Sequence, residues 1–165
     1  MENKKIIITG GANRIGRSIA LELASYDTQI VIHYSKSYVA AKKLKIELEN
    51  LGSVVYLLKA DLNNLKQTQR LISYAHKKMK GLDCLVNNAS IFENDNLNNF
   101  SEKSFLKHIN VNLKAPAILI QNFAKVCKSN KGNVVNIIDQ RVEKLTPFFF
   151  SYTLSKSSLA TLTKT

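Results

Sequence analysis

The apolar run Ile6-Ile7-Ile8 passes without interruption into Thr9-Gly10-Gly11-Ala12-Asn13-Arg14-Ile15-Gly16, after which Ile15, Ile19, Leu21 and Leu23 recur in a helical pattern. A buried strand that turns on glycines straight into a helix has few ways to fold. Gly10 and Gly11 let the backbone approach a ligand closely, and the helix directs free N–H groups and the positive end of its dipole at whatever occupies the turn. A phosphate fits that description. The same turn would also serve as a tight connection between packed elements, but its place at the head of an alternating chain favours the anion site.

The alternation continues to the end. Strand-like runs fall near residues 4 to 9, 29 to 34, 53 to 59, 82 to 87 and 132 to 139, with helical patterns between them and a last helix from about 150. No repeat, low-complexity tract or linker divides the chain, so residues 1–165 read as one α/β domain. Right-handed crossovers then predict a doubly wound parallel sheet of Rossmann type, ordered 3-2-1-4-5. Ligands of such sheets gather at the carboxyl ends of the strands, and the motifs below fall where predicted strands end.

Tyr152 and Lys156, in Ser151-Tyr152-Thr153-Leu154-Ser155-Lys156, are four residues apart, one turn along the same helix face. A phenol with an ordinary pKa of about 10 is a poor acid or base at neutral pH, and a fixed cation beside it makes it useful. Alone the pair is a common coincidence on a helix. Asp139 stands thirteen positions before the tyrosine and adds a carboxyl group to the set.

Composition narrows the setting. With 45% apolar residues but no run near eighteen, the chain can build a core and has no helical membrane span, and Met1-Glu2-Asn3-Lys4-Lys5 leads into too short an apolar stretch for a secretory signal. A cytoplasmic protein is expected. Cys84 and Cys127 lack metal-ligand spacing and read as reduced, buried thiols in a strand and a helix; His33, His76 and His108 are scattered, and no metal site is expected. The net charge of +12 invites a nucleic-acid reading. The lysines (Lys42, Lys43, Lys45, Lys77, Lys78, Lys80, Lys125 and Lys128 among them) are instead spread over several helix surfaces without interleaved aromatics. No specific nucleic acid is expected.

Together these segments resemble the short-chain dehydrogenase/reductase family along the whole chain. The family's turn reads T-G-x-x-x-G-x-G, and here Arg14 replaces the middle glycine, as in the pteridine reductase-like branch. His33-Tyr34-Ser35-Lys36-Ser37, Val86-Asn87-Asn88-Ala89-Ser90-Ile91-Phe92 and Asp139 in place of the common serine also match that branch. The resemblance implies a cofactor site of Thr9, Gly10, Arg14, Ile15 and Gly16 at the turn, Ser35, Lys36 and Ser37 at the adenosine ribose, Asp61 and Leu62 at the adenine, and Asn88, Ala89 and Ser90 beside a ribose, with Tyr152 and Lys156 at the nicotinamide end. Hydroxyls and cations where an acidic residue would favour NAD suit a 2'-phosphate, so NADPH is the expected cofactor. Ser35-Lys36-Ser37 could also be a polar loop capping the next helix, and Asp61-Leu62 and Asn88-Ala89-Ser90 simple turns.

At the reacting end the resemblance implies that Tyr152 delivers a proton while Lys156 lowers its pKa, that Asn112 supports a water-linked proton path to the lysine, and that Asp139 decides the substrate. A carboxyl group in a partly desolvated site can hold a proton near neutral pH and pass it to a ring nitrogen, as reduction of a pterin or dihydrofolate C=N bond requires. The competing reading pairs Asp139 with Arg141 at a strand end. Phe148-Phe149-Phe150 could wall a flat heterocycle or be core or oligomer contact. The expected function is NADPH-dependent reduction of a small molecule, most like pteridine reductase; the alternatives are a carbonyl or 3-oxoacyl reductase and an inactive nucleotide-binding remnant.

The last helix runs to Thr165 without a cap, whereas family members extend by roughly another eighty residues, a usual increment within one domain. An incomplete chain or truncated gene product is expected, with the family's C-terminal strands missing, the fifth strand an apolar edge, and weak turnover. The full-length family fold implies a homodimer or homotetramer.

Overall fold

The computed structural model describes residues 3–127 and 132–165, so Lys128 lies outside the described residues. Five strands, β1 (Lys5–Ile8), β2 (Gln29–Tyr34), β3 (Val54–Lys59), β4 (Cys84–Asn87) and β5 (Asn133–Asn136), form one parallel sheet in the order β3-β2-β1-β4-β5. The connections carry α1 (Arg14–Ala24), α2 (Tyr38–Asn50), α3 (Leu65–Met79), α4 (Glu102–Ile109), a π-helical turn (Asn110–Lys114) and α5 (Ala115–Val126); after β5 come a 3-10 turn (Gln140–Val142) and α6 (Phe150–Lys164). This is the expected Rossmann-type fold and strand order. None of the described helices is long and apolar enough to cross a membrane.

The sheet is covered on both faces because its central strands are apolar on both. Ile6, Ile8, Ile30 and Ile32 pack toward Ala20, Ala24, Ala41, Leu44 and Leu48 of α1 and α2, while Ile7, Val31 and Leu85 pack toward Leu71, Ile72, Leu119 and Phe123 of α3 and α5. The buried stripe of α1 is Gly16, Ala20 and Ala24, and Ile19, Leu21 and Leu23 only flank it. Small residues four apart bring this helix close to the sheet, which fixes where its N-terminus meets the turn. Ile15 is exposed.

β5 ends at Asn136, three residues before its expected limit. Its neighbour β4 ends at Asn87, opposite Asn136, so beyond one last bond from the Ile137 N–H to the Asn87 carbonyl there is no ladder to join. Freed from the sheet, Asp139 becomes the cap of the 3-10 turn. β5 forms the sheet edge, with Val135 exposed. The thiols also depart from expectation: Cys84 and Cys127 are half-buried, and Cys127 follows α5.

Candidate active site

A cleft of about 630 Å³ runs along the carboxyl ends of the strands, from Arg14, Ser35 and Lys36 at one end to Asp139, Tyr152 and Lys156 at the other. It gathers residues from every strand end, as the topology requires.

The glycine turn is held by a buried polar frame. Gly10 has φ +60, and a Cβ there would lie 2.9 Å from Ala89 Cα; at Gly16 a Cβ would lie 2.5 Å from Asn88 Nδ2 and 2.6 Å from the Gly10 carbonyl oxygen. Only glycine leaves room at either place. The Thr9 hydroxyl donates to the Val86 carbonyl (3.2 Å) and accepts the N–H groups of Asn88 and Ala89 (3.0 Å each), while Asn88 Nδ2 donates to the carbonyls of Thr9 (2.9 Å) and Gly10 (3.1 Å). Thr9 and Gly16 therefore frame the turn from behind and do not line the cleft.

His33, which the sequence reading left without a role, completes this frame. Its Nδ1 accepts the Gly10 N–H (3.1 Å), so the proton sits on Nε2, which donates to the Ala60 carbonyl (3.1 Å). Burial drives its pKa down to about 4, against the opposing pull of the Ala60 carbonyl and Asp61. A neutral ring is the only form that can accept from Gly10.

Arg14 begins α1 in the left-handed region, at φ +49. The departure from the family's glycine thus falls where the backbone conformation favours glycine. Asn13, the cap residue, makes no side-chain cap bond, and the first turn has no acidic residue, so an anion meets no competing carboxylate there. Gly10, Arg14, Ile15, Ser35, Lys36, Asp61, Leu62, Asn88, Ala89 and Ser90 all line the cleft. Ser37 does not; it precedes α2 without a side-chain cap bond. Asp61 does double duty, since its carboxylate also accepts the Asn63 N–H (2.9 Å) in a local turn.

At the other end the Tyr152 hydroxyl donates to Asp139 Oδ2 (2.9 Å), while Asp139 Oδ1 accepts the Arg141 N–H (2.9 Å) with Arg141 Nη1 3.9 Å away. The two readings of Asp139 therefore coexist: it pairs with Arg141 and faces Tyr152. Burial raises its pKa, but the Arg141 N–H, the Tyr152 hydroxyl and the Arg141 and Lys156 charges together hold it below the usual carboxylate value. The expectation of a carboxyl protonated near neutral pH is corrected for this arrangement. The aspartate is ionised and the proton sits on the phenol.

Tyr152 also departs from expectation. Burial, the bond to Asp139 and its charge drive the phenol's pKa well above the usual value, against weaker lowering by Arg141 and Ser90. Lys156 does not lower it: Nζ lies 5.8 Å from the ring centroid and donates to the Ile137 carbonyl (2.7 Å). Burial brings the lysine itself down to about 8, with Asp139 pulling upward.

Asn112 is buried in the π-helical turn and does not line the cleft. Its Oδ1 accepts from the Ile91 N–H (2.8 Å) and Ser90 hydroxyl (3.2 Å), and its Nδ2 donates to the Ile91 carbonyl and the Ser155 hydroxyl (3.0 Å each). That ties the loop after β4 to α6. Asp95 ties it again: its carboxylate accepts the Ser151 N–H (3.0 Å) and hydroxyl and its carbonyl accepts the Phe150 N–H (3.2 Å), capping the helix that carries Tyr152.

The aromatic wall comes from elsewhere than expected. Phe92 lines the cleft, half-exposed, with its ring 4.7 Å from that of Tyr152 in an edge-on contact; Phe149 stacks behind it at 4.3 Å. Phe150 packs on Phe100, and Phe148 is exposed. Phe92 and His33, quoted only as parts of matching segments, were given no role because a lone aromatic or histidine carries no spacing signal of its own. Among the described residues no group of His, Cys, Asp and Glu could hold a metal ion.

The sequence pattern of the short chain dehydrogenase family matches residues 4–165. A FolM alternative dihydrofolate reductase 1 from Brucella canis, solved with NADP, superposes with a TM-score of 0.89 at 37% identity, covering 95% of this chain and 64% of that one. A short chain dehydrogenase from Burkholderia cenocepacia, also solved with NADP, gives 0.94 at 27% identity, covering 99% and 66%. The 3-oxoacyl-[acyl-carrier-protein] reductase FabG of Staphylococcus epidermidis is 27% identical over 99% of this chain and 67% of its own length. A match to another curated relative, the short chain dehydrogenase/reductase AacuN of Aspergillus aculeatus, is 32% identical and covers 66% of this chain and 41% of that protein, so the shared part is a fraction of each relative.

Proposed function

Because this chain belongs to the short chain dehydrogenase family, we propose that its cleft binds NADPH and reduces a C=N bond in a flat heterocycle of the pterin or dihydrofolate class. The residues fit the cofactor: the Gly10 and Gly16 positions exclude any Cβ, α1 offers an uncapped N-terminus free of acidic residues, and Arg14, Lys36 and Ser35 supply two cations and a hydroxyl that suit a 2'-phosphate. Two relatives at 37% and 27% identity are solved with NADP, which supports the same choice. NADPH would supply the hydride. Residence in the cytoplasm and assembly as a homodimer or homotetramer belong to the same proposal.

The observation that carries the substrate class is the Tyr152–Asp139 hydrogen bond at 2.9 Å in a cleft walled by Phe92. Phe92 offers an apolar face to a flat ring. Asp139 aligns an acceptor for the N–H of a protonated or amino-substituted ring, and Tyr152 holds the proton that the reduced nitrogen must receive. Lys156, bonded to the Ile137 carbonyl, anchors the end of β5 beside α6. Asn112 keeps Ser90, Ile91 and α6 in register around these groups.

The similarity to a 3-oxoacyl reductase supports a second reading, in which Tyr152 protonates a carbonyl oxygen and Asp139 only orients it. Steady-state NADPH oxidation with dihydrobiopterin, dihydrofolate and a simple 3-oxoacyl ester separates the two. Faster turnover of the pterin or folate is expected. Tyr152→Phe should lose roughly 10²–10⁴-fold in kcat with NADPH affinity retained, the range of a missing general acid, and Asp139→Ser should harm the heterocycle far more than the ketone. Equal loss on both, preference for the ketone, or NADPH binding without turnover of either would overturn the proposal.

A further inference from the structure

Arg141 touches the reacting groups from outside the cleft. It lies two residues past Asp139 in the 3-10 turn, a quarter exposed, and does not line the cleft itself. Its N–H and its Nη1 both approach Asp139 Oδ1, at 2.9 Å and 3.9 Å, which leaves Oδ2 for the Tyr152 hydroxyl. The guanidinium rests over Phe149 (4.5 Å to the ring centroid) and Phe92 (5.1 Å), whose rings are parallel to within 2°. Phe92 meets Tyr152 edge-on, and Tyr152 closes the circuit back to Asp139.

We propose that Arg141 is a positioning and specificity-determining residue: its backbone N–H takes Asp139 Oδ1 and leaves Oδ2 to Tyr152, and its guanidinium, set over Phe149 and Phe92 and 3.9 Å from Oδ1, keeps Tyr152 the donor and Asp139 the acceptor of that pair. The inference deepens the reading of the cleft given above and rests on it for the substrate. An ammonium is a poorer substitute, because a guanidinium rests against aromatic rings while keeping its charge beside a carboxylate. The Arg141 N–H stays with the backbone whatever side chain is present, so substitution isolates the guanidinium while the turn keeps its cap.

The charge has a direct consequence for the proton. Asp139 is faced by Tyr152 and Lys156 from α6 and by Arg141 from its own turn, while Ser90 on the loop after β4 faces Tyr152; the Glu93–Lys107 ion pair neutralises itself nearby. The Arg141 N–H and the Tyr152 hydroxyl hold Asp139 ionised, and the guanidinium charge adds to them in keeping the transferable proton on Tyr152. Remove the guanidinium, and the carboxylate takes up a proton at higher pH.

Arg141→Met, Arg141→Gln and Arg141→Lys test this. Carbon-13 carboxyl titration by NMR reads Asp139 without any substrate, with Asp139→Asn to assign the signal. Met and Gln are expected to raise the Asp139 titration by about one pH unit, in the range that one nearby charge imposes, and Lys to restore part of the shift. With dihydrobiopterin the acidic limb of kcat should move by the same amount, while kcat near pH 7, where Asp139 stays ionised in every variant, should change little and NADPH affinity less than twofold. An unmoved carboxyl titration in both Met and Gln, or in whichever of them folds, would overturn the role. If the wild-type chain reduces no pterin while the titration moves as expected, the substrate reading fails and the positioning role stands.

Discussion

The two ends of the cleft are built on different principles. At the glycine turn every constraint is one of space and uncharged hydrogen bonding: Gly10 and Gly16 leave no room for a Cβ, and Thr9, Asn88 and neutral His33 saturate the backbone around them. At the reacting end burial and neighbouring groups, the Arg141 charge among them, set the protonation of Asp139, Tyr152 and Lys156. The first arrangement holds a shape. The second holds a distribution of charge, so it responds to pH and to a ligand in a way the first cannot.

The sharpest way to break this contrast is a stability profile, because the two ends should respond on opposite sides of neutrality. His33 has its pKa depressed from 6.5 to about 4, so between those values the unfolded chain binds the proton and the folded chain does not. Stability conferred by the neutral ring is complete above pH 6.5 and declines as pH falls to about 4, by about 3 kcal/mol in all. Lys156 is depressed from 10.5 to about 8, so its slope has the same sign but lies above neutrality: the cost of burying the charge is relieved as pH rises through that window, again by about 3 kcal/mol. Urea denaturation of wild type, His33→Gln and Lys156→Met across pH 4 to 10.5 should show each slope vanish only in its own variant. A histidine slope that survives in His33→Gln would mean that the turn is not held by a neutral ring.

Space should matter next. Gly16→Ala places a methyl group 2.6 Å from the Gly10 carbonyl oxygen and 2.9 Å from Gly11 Cα, atoms that cannot swing aside. Overpacking of that kind typically costs about 1–3 kcal/mol. NADPH affinity should fall with it, because the shift is taken up by the turn, while the Asp139 carboxyl titration stays where it was. Thermal unfolding and cofactor fluorescence would check this, and a variant as stable and as tight-binding as wild type would show that the turn has slack.

What the sequence made legible follows the same division. The turn, the strand order and most of the cleft lining were readable because glycines, apolar runs and strand ends leave a pattern in one dimension. Asn112 and Thr9 were named as catalytic and cofactor-binding positions, but their contacts in the fold are frame contacts, visible only once β1, β4 and α6 are brought together. The protonation of Tyr152 and Asp139 was misread for a physical reason: Lys156 is near in sequence but spends its ammonium on the Ile137 carbonyl, while Arg141, weighed only as an alternative to a catalytic Asp139, sits beside the carboxylate as it faces Tyr152. Helical spacing predicts neighbours. It does not say where a flexible charge will point.

Arg14 joins the two principles and yields the smallest effect. It is a charged residue in a left-handed conformation, φ +49, at the position where the family carries glycine, and such a conformation costs an L residue roughly 1–2 kcal/mol. Arg14→Gly should therefore stabilise the protein by about 1 kcal/mol, since glycine's greater freedom in the unfolded chain offsets part of the relief. If the arginine is retained for the phosphate end of NADPH, the same variant should bind NADPH more weakly and lose part of its preference over NADH, and the remaining preference should depend less on salt. Denaturation midpoints and binding titrations at two salt concentrations decide it. A gain in stability with unchanged cofactor preference would separate the strain from the charge, and leave Ser35 and Lys36 to select the cofactor.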